Sequence, residues 1–179
     1  MQDELKLLAR ARALEQEALA QIHDDYYGPI FRYIAMRVGD HQTAEDLTSE
    51  VFLRLLSALR DHTAPDRTLR GWLYAVAFRV VKDHYRRQYR RQDQQLHEGI
   101  PSEKPTPADM VAEKINWERL QEKLLMLTDE QQNVIALRFG ASFSIRQTAE
   151  AMNKSEGAVK QLQLRAVATL ARLMESGHE

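Results

Sequence analysis

The sequence predicts an all-α protein made of two small helical domains joined by a flexible linker, and three observations carry that expectation. Apolar residues recur at helical spacing along most of the chain. Only seven glycines and five prolines occur in 179 residues, a composition that favours helices nearly throughout. Gly99, Pro101, Pro105 and Pro107 fall together between Gln92 and Ala112, where apolar content is low. That stretch divides the chain into a domain over 1–92, a linker over 93–112 and a domain over 113–179.

The elements follow in order. Leu5, Leu8, Leu14 and Leu19 place an amphipathic helix over 3–21. Gly28-Pro29 starts a new element carrying Ile30, Phe31, Ile34, Ala35 and Val38, and Gly39 ends it. Thr43 caps the next helix, with Asp46 placed to reach back, and the helix runs to about Leu59. Residues 61–68 contain Pro65 and lack periodicity, so they form a loop before a long helix from Leu69 to Arg91. Beyond the linker, a helix over 113–127 precedes Asp129–Arg138, which Thr128 and Gln131 open as a capping box.

Ser144 to Leu173 reads as a helix-turn-helix. Ser144 and Gln147 make a second capping box, and Ile145, Ala149 and Met152 share one face. Asn153 tolerates the left-handed conformation that the turn needs. Ser155 caps the second helix, where Val159, Leu162 and Ala166 face inward. A DNA-reading helix presents its N-terminal residues to base edges in the major groove, here Ser155, Glu156, Lys160 and Gln161. An ordinary helical hairpin is the alternative for this stretch alone.

The net charge of −1 conceals strong segregation. Residues 1–60 carry seven basic and ten acidic groups, and residues 71–92 carry six basic groups against Asp83 alone. Residues 93–113 set Lys104 against five acids, and residues 138–172 set six basic groups against Glu150 and Glu156. Two basic blocks separated by acidic ones suit two distinct phosphate contacts.

Two segments of the first domain exceed what packing requires. Along residues 44–56, Leu47, Val51, Leu55 and Leu59 step by four as core. Asp46, Ser49, Glu50, Leu53 and Leu56 make a separate acidic and apolar strip. Either a partner protein covers that strip, or Leu53 and Leu56 pack on a neighbouring helix. Residues 71–91 interleave Trp72, Tyr74, Phe78, Tyr85 and Tyr89 with Arg79, Arg86, Arg87, Arg90 and Arg91. Single-stranded DNA binding uses that mixture, rings stacking on bases while cations hold phosphates. Trp72 is favoured as core and the arginines as phosphate contacts.

In their order and spacing, these segments resemble a bacterial RNA polymerase sigma factor of the small, two-domain extracytoplasmic-function type. Residues 22–91 look like its region 2 and residues 113–174 like its region 4. The resemblance implies that Asp46, Ser49, Glu50, Leu53 and Leu56 dock on core polymerase. It implies that Asp61, His62 and Arg67 of the loop, with Trp72, Arg79, Lys82, Arg86 and Arg87, engage the −10 promoter element. The loop would receive a flipped base, at a cost of a few kcal/mol that binding offsets. Ser155, Glu156, Lys160, Gln161 and Arg165 would read the −35 element. Core polymerase and promoter DNA are the implied partners, with an anti-sigma factor a further expectation. The sequence departs from the family where Arg79 replaces a frequent Asn and Ser49 a frequent Gln. Lys154 occupies a usually apolar turn position, and Asn153 replaces a common Gly.

Other classes find less support. A stand-alone DNA-binding regulator explains Ser144–Leu173 but leaves the first domain's two segments without a role. For an enzyme, the chain has no phosphate-binding glycine loop, and no cofactor or metal is expected. His41 and Glu45 share a helix start, and Glu175 with His178 lie in a tail. The absence of cysteine excludes disulfides and thiolate metal sites. No apolar run approaches the roughly 20 residues that cross a bilayer, and no signal-peptide pattern opens the chain. A cytoplasmic protein without membrane insertion is expected.

Overall fold

The computed structural model describes residues 2–65, 68–95 and 119–176, all helical apart from short connections. The first helix expected over 3–21 is two helices, α1 (Gln2–Arg12) and α2 (Gln16–Val38). Leu14 takes φ 56 between them, and Glu15 N–H donates to the Arg10 carbonyl at 3.3 Å. The break folds α1 back, so that Leu7, Leu8 and Ala11 join the same core that Ala18 and Ile22 of α2 enter.

Gly28-Pro29 does not start a new element; both residues lie inside α2. A proline in a helix interior removes one hydrogen bond and costs about 3 kcal/mol. Ile22 on one side and Ile30, Tyr33 and Ile34 on the other are all buried in one core, and that burial outweighs the local penalty. Gly39 ends α2 at φ 70, as its position predicts.

α3 (His41–Arg60) begins three residues earlier than expected, because Asp40 rather than Thr43 is the cap. The Asp40 carboxylate accepts from Thr43 N–H at 2.7 Å. Leu47, Val51, Leu55 and Leu59 are buried on its inner face. α4 runs Leu69–Gln95. The expected linker therefore begins inside this helix, and residues 96–112 fall outside the described residues.

The expected 113–127 helix is described over 119–125 and is labelled α5; its first six residues fall outside the described residues. Thr128 and Gln131 form the capping box that opens α6 (Asp129–Ile135). The helix then widens into a π turn over Ala136–Gly140, which the sequence did not predict. α7 (Ile145–Met152) and α8 (Glu156–Glu175) make the helix-turn-helix. Both capping devices are as expected, and Asn153 takes φ 51 in the turn.

Two cores result. Leu124, Leu127, Val134, Ile135, Ala149, Val159 and Ala166 form the smaller one among α5–α8. The larger one, from α1–α4, also takes in Ala136, Leu137, Ala141 and Phe143 of the second half. The two halves are thus packed together, with α2 as the common surface. Gly140 permits the approach. A Cβ there would lie 3.3 Å from Tyr33 Cα and 2.8 Å from Met36 Sδ.

Candidate nucleic-acid and polymerase interfaces

On α3, burial of the Leu47–Leu59 stripe turns the opposite strip outward. Leu53 is 65% exposed and Leu56 38%, and neither belongs to the buried core or packs against it. Asp46 and Ser49 are exposed beside them. Glu50 is partly buried and already paired, accepting from Arg54 at 2.6 Å and lying 3.6 Å from Arg87. Asp83 extends the network to Arg54 at 3.6 Å and Arg86 at 3.2 Å. Glu50 on the proposed polymerase strip and Arg87 of the basic helix therefore belong to one ion-pair network.

α4 divides by face. Leu69, Leu73, Tyr74, Val76, Ala77, Val80 and Val81 are buried, whereas Arg79, Lys82, Arg86 and Arg87 are exposed. Trp72 is half-buried against the main core, as favoured from the sequence. Phe78 sits under the Arg37 guanidinium at 5.2 Å, and the Tyr85 hydroxyl donates to the Arg37 carbonyl. Neither ring is presented as a stacking platform. Tyr89, 72% exposed among the arginines, is the ring that is.

The start of the loop before α4, residues 61–65, is held by its neighbours. Asp61 caps α3, its N–H donating to Ser57 and Leu59 carbonyls. His62 adopts φ 54, and Thr63 and Ala64 N–H groups both donate to the Ala58 carbonyl at 2.8 and 3.0 Å. Asp61 and His62 are exposed. Arg67 lies outside the described residues.

On α8, Val159 and Ala166 are buried, and Ser155, Glu156, Lys160, Gln161 and Arg165 are all exposed on or beside the first turns. The Ser155 hydroxyl accepts from Ala158 N–H at 3.2 Å. Lys154, at the turn position where the sequence departs from the family, places its ammonium 2.7 Å from the Glu130 carboxylate. Arg138 braces α8 from below, donating to Gln163 at 2.9 Å.

Sequence reasoning missed the junction between the halves. Tyr33 donates to Asn133 Oδ1 at 2.7 Å, and Arg37 lies within 3.3 Å of that hydroxyl and 3.6 Å of Asp129. Arg37 is only 2% exposed. Burial raises the Tyr33 phenol above its ordinary pKa despite that guanidinium. Arg70 donates to the Ala141 carbonyl at 2.9 Å and covers the Phe143 ring at 4.3 Å. A buried arginine on an amphipathic helix has no distinct sequence signature, because its partners across the junction, Asn133 and Asp129, lie nearly a hundred residues away. Among the described residues, no group of acids and histidines is placed to hold a metal ion.

A helical protein with an acidic-apolar face, a basic helix and a capped helix-turn-helix has the layout of a promoter-recognition subunit. Residues 22–91 match the family model for Sigma-70 region 2, and residues 124–172 match Sigma-70 region 4. The chain is 38% identical to the ECF RNA polymerase sigma factor BldN of Streptomyces coelicolor over 95% of its own length and 65% of that relative's. It is 28% identical to the ECF RNA polymerase sigma factor SigX of Bacillus subtilis, covering 89% of this chain and 85% of SigX. The chain belongs to the sigma-70 family, as an RNA polymerase sigma factor of the extracytoplasmic-function type. CnrH, solved in complex with the cytosolic domain of CnrY, superposes with a TM-score of 0.68 at 22% identity, covering 97% of each chain. That likeness establishes the shared fold.

Proposed function

We propose that the chain binds core RNA polymerase through the α3 strip and directs initiation by reading a −10 element with the 61–68 loop and α4, and a −35 element with α8. The observation that carries this reading is the outward placement of Leu53 and Leu56 beside Asp46 and Ser49, on a helix whose other face is fully buried. An isolated regulator has no use for such a strip. The exposed cations of α4 and of α8 then supply two phosphate-binding surfaces, in the order that the two promoter elements require.

The packed arrangement limits when DNA can be read. About 150 described residues in one body have a radius of gyration near 15 Å, hence a diameter of about 40 Å. Promoter elements centred about 17–20 base pairs apart are separated by roughly 60 Å. With α4 running to Gln95, residues 96–112 of the expected linker would reach about 60 Å fully extended. Reading both elements therefore requires the halves to part, and core polymerase is the partner that separates them. The protein supplies recognition and melting rather than a catalytic centre, and acts where cytoplasmic polymerase acts; among the described residues no helix is long and apolar enough to cross a membrane. An anti-sigma factor is the expected inhibitor, by likeness to CnrH in its CnrY complex and to the RpoE–NepR complex of Bartonella quintana.

Gel filtration with purified core polymerase tests the reading. Co-elution at one-to-one stoichiometry is expected, and it is lost in Asp46→Arg with Glu50→Arg. Lys160→Ala or Arg165→Ala weakens promoter binding and leaves co-elution intact. Equal loss of both activities in both sets refutes the division of labour.

A further inference from the structure

α1 lies outside both stretches that match the family models, yet it holds the loop proposed to read the −10 element at both of its ends. Glu4, Leu8 and Arg12 recur at four-residue spacing on one face, and Leu7, Leu8 and Ala11 seat that face in the main core. At one end, Arg12 Nη2 donates to the Ala64 carbonyl at 3.1 Å and to the Pro65 carbonyl at 2.8 Å. At the other, Glu4 Oε1 accepts from Arg70 N–H at 3.1 Å. That amide is one of the unpaired donors in the first turn of α4, where a carboxylate also meets the positive end of the helix dipole. Tyr26 of α2 also bonds Glu4, and burial followed by the nearby carboxylate raises its phenol pKa.

The hydrogen bonds of the loop explain why this matters. The Thr63 and Ala64 amides are used on the Ala58 carbonyl of α3. The carbonyls of Ala64 and Pro65 are used on Arg12. The far side is tied to α4, where Trp72 N–H donates to the Thr68 carbonyl at 3.2 Å. Glu4 and Arg12 are eight residues apart, about 12 Å along a helix, so one rigid rod sets the separation of the loop's two attachments. A base taken from the stack needs a receiving site whose shape already exists, because flipping costs a few kcal/mol that a yielding loop does not return.

We propose that α1 is a positioning element for promoter recognition, with Arg12 holding Ala64 and Pro65 and Glu4 holding the first turn of α4 in the geometry in which a −10 base is accepted between them. This rests on the proposed −10 reading of that loop. Arg12 touches no DNA; it acts through the Ala64 and Pro65 carbonyls. Its removal therefore lowers discrimination at one base and leaves phosphate contacts from Arg79, Lys82, Arg86 and Arg87 in place.

The test uses full-length chain assembled with core polymerase and fluorescent single-stranded 12-mers. A randomised pool first yields the tightest binder, which is then made with an abasic site at each position in turn. For the unaltered chain, one position is expected to show a preference for the intact base of about tenfold, the scale of a single stacked base. In Arg12→Ala that preference falls to about twofold or less, and affinity for the abasic strand changes by less than about twofold. Glu4→Gln, which keeps the size of the acceptor and loses its charge, gives an intermediate ratio. Arg12→Lys, able to reach one carbonyl, restores part of it. An unchanged ratio in Arg12→Ala and Glu4→Gln overturns the role of α1, as does equal weakening of intact and abasic strands. Absence of any position-specific preference in the unaltered chain overturns the −10 reading of the loop itself, and with it this proposal.

Discussion

Phe143→Ala is expected to open the packed arrangement without unfolding either half. Phe143 comes from the loop that leads into the helix-turn-helix, yet its ring is buried in the larger core. Tyr74 meets it edge-on at 4.6 Å between centroids, and the Arg70 guanidinium lies 4.3 Å above it. Truncating a buried phenylalanine costs about 3–5 kcal/mol, cavity included, and the ring contacts named here are part of that figure. The ring partners Tyr74 and Arg70 both belong to the first half, so the cost is expected to fall mainly on docking rather than on the α5–α8 core. At about 1.4 kcal/mol per tenfold, the docking equilibrium shifts by two to three and a half orders of magnitude.

Small-angle scattering reads the shift directly. The closed chain is expected near 15 Å in radius of gyration, and the variant above about 20 Å once two bodies separate on the linker. Apparent affinity for a partner that takes only the open form scales with the open fraction, so core polymerase binds the variant at least about tenfold more tightly. Helical circular dichroism is unchanged. An unaltered radius of gyration together with unaltered core affinity refutes the argument, since it means that the packed arrangement neither depends on Phe143 nor competes with polymerase.

Leu53→Asp places a charge at a position already facing solvent, so thermal stability changes by less than about 0.5 kcal/mol while core polymerase binding, read by gel filtration, falls at least tenfold. Burial raises the phenol pKa values of Tyr26, Tyr33 and Tyr85, and that of Tyr74 from 10.0 to about 12. Stability is therefore full below pH 10 and declines as pH rises from 10 toward 12, because the unfolded chain loses those protons first; ultraviolet titration of phenolate against circular dichroism checks that ionisation of these rings accompanies unfolding. Arg37→Met is expected to tighten docking of the halves or leave it unchanged, with slightly higher melting temperature and weaker core binding; a melting temperature lowered by more than about 5 °C refutes it.

Most helix ends were legible where their causes were local, although Asp40 rather than Thr43 caps α3. Ser144 with Gln147, Thr128 with Gln131, Asn153 and Gly39 each act within four residues, and each does what its neighbours predict. The larger errors came where distant burial overrode a local signal. Pro29 reads as a helix start, but Ile22 and Ile34 hold both sides of it in one core. Leu14 reads as part of an amphipathic repeat, but it turns left-handed because α1 must fold back. Of the candidate site, the exposed strip on α3 and the cations of α4 and α8 were visible as periodicity and charge. Tyr33, Arg37, Asn133 and Phe143 were not, because the contacts that give them meaning join residues far apart in sequence.

The composition of that junction also bears on how readily it separates. An interface of the same size built only from leucine and phenylalanine would expose apolar surface on opening, at about 25 cal/mol per Å². Here the centre holds Arg37, Tyr33 and Asn133, with Asp129 at its exposed edge. In the closed form these groups lose water and regain only part of its value through each other, since the net contribution of a hydrogen bond is about 1 kcal/mol. In the open form they recover hydration, so parting the halves costs less there than at Phe143. The apolar anchor sets the strength of closure and the polar centre keeps it reversible. If the factor is compact when free and extended on a promoter, as proposed, those two roles need to sit on different residues, and here the ring of Phe143 and the Arg37–Tyr33–Asn133 group are separate.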